Sequence, residues 1–486
     1  MEEHASYRKF TKNIGIISLA NLFLFVEGMV ILPVITKVLG AENYGIWTQL
    51  SITINLGSQA IILGLPYALI RFLPAEEDKR KIQEGIYSVL VLVFIIALTA
   101  AIFLFLFSGS VAKFFQCPPI LIKILGFIIL FECLNFILLR IFHVFQEIAK
   151  YSFLAILKIS VELALIIAAV LLGYGLYGAV LSLLVARILF FITLLWSVVK
   201  KIGIKVPDFS QIKKYLSFGL PTFFSSISYW IVTSGDKYLI GYFMGVLFVG
   251  YYSPGYAIGN IINFLIYPLV FMLPVVLSKS FDKNEPGEVK TYLKYSLKYF
   301  LMIAIPSVFG LSILSKQLLT VFSTKEISSN GYFVTPFVAT SILLYGVCAI
   351  FDQILYLHKK TKLSGTIWMI AALLNIVLNL LLIPALGILG AAMTTLLAYV
   401  FAFFLTWHYS SKNLQFDIDW QSILKSILAS VLMVIFIVWF NPTSLLNIIL
   451  AIISGVFIYG LLVWVMQGID KKEFEFLKSL LKELNL

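Results

Sequence analysis

Several charged side chains stand inside long apolar runs. Glu27, Glu132, Lys158, Glu162 and Arg187 each lie well within a mostly apolar stretch of about 20 residues or more. An ionisable group in such a place is costly and usually serves a purpose. The guanidinium of Arg187 suits a phosphate, and neighbouring carboxylates could hold it when no anion is present. Lys158 stands one turn before Glu162, which leaves two readings open: an ion pair within one helix, or a second cation for the same anion. Arg71 and Arg140 lie near the ends of their runs, where long side chains reach toward headgroups, and they join Arg187 and Lys158 as candidate anion-binding groups. Asp352 is similarly placed and is expected to reach the interface. Glu27, Glu132, Glu162 and Asp236 read as cavity charges or as acids that could bind and release a coupling cation. Asp236 precedes Lys237 at the end of its run, so an interfacial charge is the alternative for it. Tyr229, Trp230, Tyr251, Tyr252 and Tyr256 cluster nearby and offer rings for stacking.

Other chemistries lack their residues. Cys117, Cys133 and Cys348 show no zinc or disulfide spacing, and His4, His143, His358 and His408 stand apart, so neither metal nor cofactor is expected. There is no GxxxxGK[ST] phosphate loop to bind ATP. The long loops around 107–120 and 315–333 hold Glu326 as their one acid, so paired catalytic carboxylates are missing and an enzyme is not expected.

The elements that position these charges follow from composition. Of 486 residues, 61% are hydrophobic and 12% charged, with a mean hydropathy of +1.00, against roughly 25% charged in soluble domains. The chain is therefore expected to be an all-α polytopic membrane protein. Breaks at Gly, Pro and charged clusters place about 14 spans near 14–38, 42–70, 83–107, 120–143, 152–173, 176–199, 215–240, 246–277, 292–315, 333–357, 364–384, 388–408, 421–440 and 445–467. The first is too long for a signal peptide and has no cleavage site. In the second, seventh and eighth, Gly, Ser, Thr and Asn dilute the apolar signal, as in helices that line a wet cavity.

With the N-terminus inside, 27 lysines and arginines fall in cytoplasmic pieces and six outside; Lys158, Arg187 and Lys425 lie within spans, completing the 36. This asymmetry predicts an even number of spans with both termini cytoplasmic. It also assigns the net charge of +12 to the membrane surface rather than to nucleic acid. In the tail from Lys471, Leu477, Leu480, Leu481 and Leu484 form one helix face, which predicts an amphipathic helix lying on the leaflet or on the chain's own loops.

Two short matches suggest duplication. Gly40-Ala-Glu-Asn-Tyr44-Gly45 aligns with Gly245-Val-Leu-Phe-Val249-Gly250, and Gly175-Leu-Tyr-Gly178-Ala179 aligns with Gly387-Ile-Leu-Gly390-Ala391. Each pair is six spans apart, so the repeats would be parallel.

Leu39-Gly-Ala-Glu-Asn-Tyr-Gly-Ile-Trp47, Gly64-Leu65-Pro66 followed by Arg71-Phe-Leu-Pro74, and Gly235-Asp236-Lys237-Tyr238-Leu-Ile-Gly241 together resemble the Wzx-type polysaccharide and oligosaccharide flippases. Their superfamily includes the MATE multidrug exporters and the lipid II flippases. The resemblance implies two six-helix lobes around a central cavity, 1–200 and 201–412, with two extra spans and the tail in 413–486. It implies transport of a polyprenyl-diphosphate-linked oligosaccharide from the cytoplasmic to the outer leaflet of the plasma membrane, with glycan-assembly proteins as possible partners. Export of small amphipathic cations, as in the MATE branch, is the alternative; the basic pair Lys158 and Arg187 argues against it.

Overall fold

A computed structural model describes residues 2–76 and 78–468. The amphipathic tail expected from Lys471 onward lies outside the described residues. The described chain is helical: α1 (Glu2–Ile62), α2 (Leu65–Phe72), α3 (Lys79–Leu106), α4 (Ser108–Phe115), α5 (Pro119–Val144), α6 (Ile148–Leu171), α7 (Gly175–Ile202), α8 (Ile212–Met244), α9 (Val246–Gly259), α10 (Ile266–Asp282), α11 (Pro286–Phe322), α12 (Lys325–Gly331), α13 (Val334–Leu357), α14 (Thr361–Leu386), α15 (Ile388–Ser411), α16 (Trp420–Phe440) and α17 (Leu445–Val465).

Among the described residues, 12 candidate segments are long and apolar enough to cross a membrane. One of them belongs to α1, which breaks at Gly40 (φ 83°, ψ 177°) into two arms. Counting both arms, and adding α8, whose polar residues dilute its hydropathy, gives the fourteen expected. The eighth span is not one helix. It runs from α9 through a 3-10 stretch, Asn260–Leu265, into α10.

Two compact units divide the chain: residues up to 253 with 375–391, and residues 254–374 with 392 onward. In the first, α5 is central and packs on α1, α2, α3, α6 and α7. A Cβ on Gly126 would lie 3.1 Å from the Ala101 backbone, so this glycine lets α5 approach α3 closely, as small residues do between membrane helices. The outward face of α3 presents Phe94, Ile95, Ile102, Phe103 and Leu106, as a lipid-facing helix should. In the second unit, α13 packs on α10 and α11, while α11 also carries α16 and α17. Trp439 and Trp464 stand exposed at helix ends, where amphipathic rings suit the membrane interface.

The two aligned pairs of segments share backbone conformations at their glycines. Gly40 and Gly245 share one Gly-only conformation (φ 83°, ψ 177° and φ 98°, ψ 163°), and Gly175 and Gly387 both have φ 63°. A short helix follows the third span (α4) and again the ninth (α12). Helix ends and loops near one another in the fold are tied by polar contacts. Tyr87 and Ser88 donate to the carbonyls of Gly203 and Asp208, Lys360 bonds Asn413, and Lys298 pairs with Asp419 at 3.1 Å.

Candidate functional site

Helices α5, α6 and α7 bring together four of the charges singled out above. Glu132 accepts from Lys158 Nζ at 3.1 Å and from the Arg187 guanidinium, and Arg187 Nη2 lies 3.3 Å from Glu162 Oε2. Asn135, one turn from Glu132, donates to the Arg187 carbonyl at 2.9 Å and locks α5 to α7. Glu27 on α1 lies within electrostatic range of all four. The intrahelical pairing of Lys158 with Glu162 is corrected: Lys158 reaches across to Glu132, which leaves Glu162 to Arg187. Two carboxylates thus compensate two cations, as buried charge requires. The set is not saturated, because Arg187 Nε and Glu162 Oε1 are buried without hydrogen-bond partners among the described residues.

The Glu132 end of this cluster opens on a cavity of about 310 Å³. Glu132, Phe136 and Arg140 recur every four residues on α5 and form one wall; Asn55, Ser58, Gln59 and Ile62 of α1, Gly64, Tyr67 of α2 and Phe223 of α8 form the rest. Arg140 does not simply extend to the interface. Its guanidinium sits 5.0 Å from the centre of the Phe136 ring and 5.6 Å from that of Tyr151, and it has no carboxylate partner among the described residues. An unpaired guanidinium against aromatic faces, in a cavity with amide and hydroxyl groups, is equipped to bind an anion.

The remaining candidates are placed elsewhere. Arg71 is exposed in the last turn of α2 and is absent from this cavity's lining. Asp236 is not solvated: it is fully buried, pairs with Lys237 at 3.2 Å, and accepts from the Tyr252 hydroxyl. Asp352 is also enclosed rather than interfacial, accepting from Trp368 Nε1 at 3.2 Å. The aromatic set around 229–256 does not line this cavity; Tyr67, Phe136 and Phe223 supply its rings. Asn55, Ser58 and Gln59 were missed, although their i, i+3, i+4 spacing in a diluted span marks one polar helix face.

A second cavity, about 350 Å³ and almost wholly apolar, lies in the other unit among Met302, Pro306, Leu311, Met433, Ile437, Val456 and Tyr459.

A family model described as polysaccharide biosynthesis protein matches residues 34–330. The chain belongs to this family. A model of the lipid II flippase MurJ matches residues 260–483. Among curated relatives, a probable low-salt glycan biosynthesis flippase of Haloferax volcanii, Agl15, is 24% identical over 290 residues, 58% of this chain and 61% of that protein. The chain thus aligns with about three-fifths of Agl15. An uncharacterized membrane protein of Methanocaldococcus jannaschii is 25% identical over 433 residues, covering 82% of this chain and 83% of that one. Among solved structures, the lipid II flippase MurJ in an inward closed conformation superposes with a TM-score of 0.76 at 18% identity, covering 93% of this chain and 98% of that one. An inward-facing MATE multidrug transporter gives 0.64 at 15% identity, covering 81% and 95%. The fold is therefore the one these transporters share.

Proposed function

We propose that this member of the polysaccharide biosynthesis family is a flippase. Its substrate is an oligosaccharide on a polyprenyl diphosphate, carried from the cytoplasmic to the outer leaflet of the plasma membrane by alternating access. The lobes are residues 1–200 and 201–412, with 413–486 appended, and both termini are cytoplasmic. Glycan-assembly enzymes that make and use the lipid-linked sugar are its partners.

The observation that carries this reading is the uncommitted Arg140 in a cavity bordered by the Glu132–Lys158–Arg187–Glu162 cluster. A diphosphate entering a low-dielectric site needs cations, because unpaired buried charge costs several kcal/mol per ion. Arg140 meets it first. Arg187 and Lys158 are held in reserve by carboxylates and join as the anion displaces these. The cavity is at the small end of ligand sites, roughly 300–1,000 Å³, which suits the diphosphate and the adjoining sugar rather than a whole glycan. The apolar cavity of the other unit offers a surface compatible with an isoprenoid chain. A diphosphate with about two negative charges gains roughly 4–5 kcal/mol per 100 mV on leaving an inside-negative cell, enough to bias the direction. Glu27 and Glu162 remain candidates for added cation coupling.

Deleting the gene separates this function from drug export. Lipid-linked oligosaccharide should accumulate facing the cytoplasm with drug tolerance unchanged. Changed drug tolerance with normal glycan delivery would favour export of amphipathic cations.

A further inference from the structure

The two segments related by the 205-residue offset touch each other, reciprocally. A Cβ on Gly45 would lie 2.0 Å from the carbonyl oxygen of Val246, and a Cβ on Gly250 would lie 2.0 Å from that of Ala41. Ala41 and Val246 are related by the same offset, as are Gly45 and Gly250. Each repeat therefore presents its glycine to the first residue of the other's helix, which is how a two-fold contact is built.

Neither glycine is required by its backbone conformation, since both are helical without positive φ. In a helix interior, glycine is about 1 kcal/mol worse than alanine. What requires glycine is the approach itself, and the opposing atoms are backbone carbonyls that no side-chain rotation can move aside. The seam continues inward: the Gln49 side chain lies against Gly241, and the hydroxyls of Thr53 and Tyr238 are 2.6 Å apart. Next along α1 is Asn55, which lines the cavity about 15 Å of helix beyond Gly45.

We propose that this reciprocal glycine crossing is the closed outer gate over the cavity, and that Gly45 and Gly250 are the residues that permit closure. The gate serves the transport reading above, and its outer position follows the lysine and arginine asymmetry. A methyl at either glycine meets an equivalent carbonyl, so either substitution holds the gate ajar to a similar degree.

The test uses the full chain with Cys117→Ala, Cys133→Ala and Cys348→Ala, and Asn55→Cys as reporter, labelled in intact cells with an impermeant maleimide. Labelling should be slow in the glycine chain and several-fold faster with Gly45→Ala or with Gly250→Ala. Gly365→Ala, whose Cβ meets no atom within 4 Å, should change nothing. Unchanged labelling in both alanine variants at normal abundance overturns the gate. If neither alanine variant accumulates, Gly241→Ala decides, because its Cβ meets the end of the flexible Gln49 side chain rather than a backbone carbonyl on the same seam. Labelling of the Asn55 reporter should again be faster than in the glycine chain, and unchanged labelling overturns the proposal. The readout needs no substrate. Flipping is read on the chain that keeps Asn55: responsive labelling together with no lipid flipping by that chain would preserve the gate and reject the function, and flipping by that chain with unresponsive labelling would do the reverse.

Discussion

Arg140 and Arg187 carry the same charge in different states of commitment, and their substitutions should differ accordingly. Arg140 breaks no ion pair when removed, so Arg140→Ala should leave abundance unchanged and weaken substrate binding. Charge-assisted hydrogen bonds are worth about 1.5–3 kcal/mol, or roughly ten- to hundred-fold in affinity. Concentration dependence of flipping by the purified variant checks this. Arg187→Ala strands Glu162, which is 3% exposed, and removes one of the two cations on Glu132. A broken buried pair costs about 3–5 kcal/mol, so lower abundance should accompany lost transport. Arg187→Lys should restore part of both, lacking the planar fork. Since Lys158 pairs with Glu132, the compensating double variant for Lys158→Ala is Glu132→Ala, read by recovered abundance. The intramembrane charges were legible one by one as exceptions in apolar runs. Their pairing was not, because sequence spacing shows i, i+4 neighbours and hides contacts between helices such as Lys158 with Glu132.

At the scale of elements, α16 is tied to α11 by Asp419 and Lys298. Burial pushes the Asp419 carboxyl up, but the Ser422 hydroxyl and amide and the Lys298 ammonium outweigh it and hold the group down at about 2. An unfolded aspartate titrates near 3.9. The stabilisation is therefore complete above about pH 4 and is lost as pH falls toward 2. Melting of the detergent-solubilised chain should show this decline, and Asp419→Asn should flatten it; an unaltered acid limb would count against the contact. Most spans were readable from hydropathy; of the three diluted ones, α8 and the second arm of α1 border the cavity, while the eighth span does not line it. The interruption of the eighth span at Asn260–Leu265 was not readable as a break, since the stretch holds no Gly or Pro and its Asn260 and Asn263 only dilute the apolar signal. The burial of Asp236 and Lys237 was not readable, because adjacent opposite charges look solvated in sequence, whereas the fold encloses them beside Tyr252.

For the whole molecule, the 27-to-6 charge asymmetry predicts the orientation. Cysteines placed in 76–81, 202–212 and 283–288 should be shielded from an impermeant reagent in intact cells, and those in 326–330 should react; the opposite pattern would invert the orientation. The central claim is that this chain moves an anionic lipid-linked glycan between leaflets. It is tested most directly with purified protein in unilamellar vesicles containing a polyprenyl-diphosphate oligosaccharide, by following how much becomes accessible to an external glycosidase. The account predicts that wild-type protein exposes lipid from the inner leaflet, and that Arg140→Ala does so much more slowly at equal incorporation. Accessibility confined to the lipid initially outside, in wild-type vesicles as in protein-free ones, would contradict it.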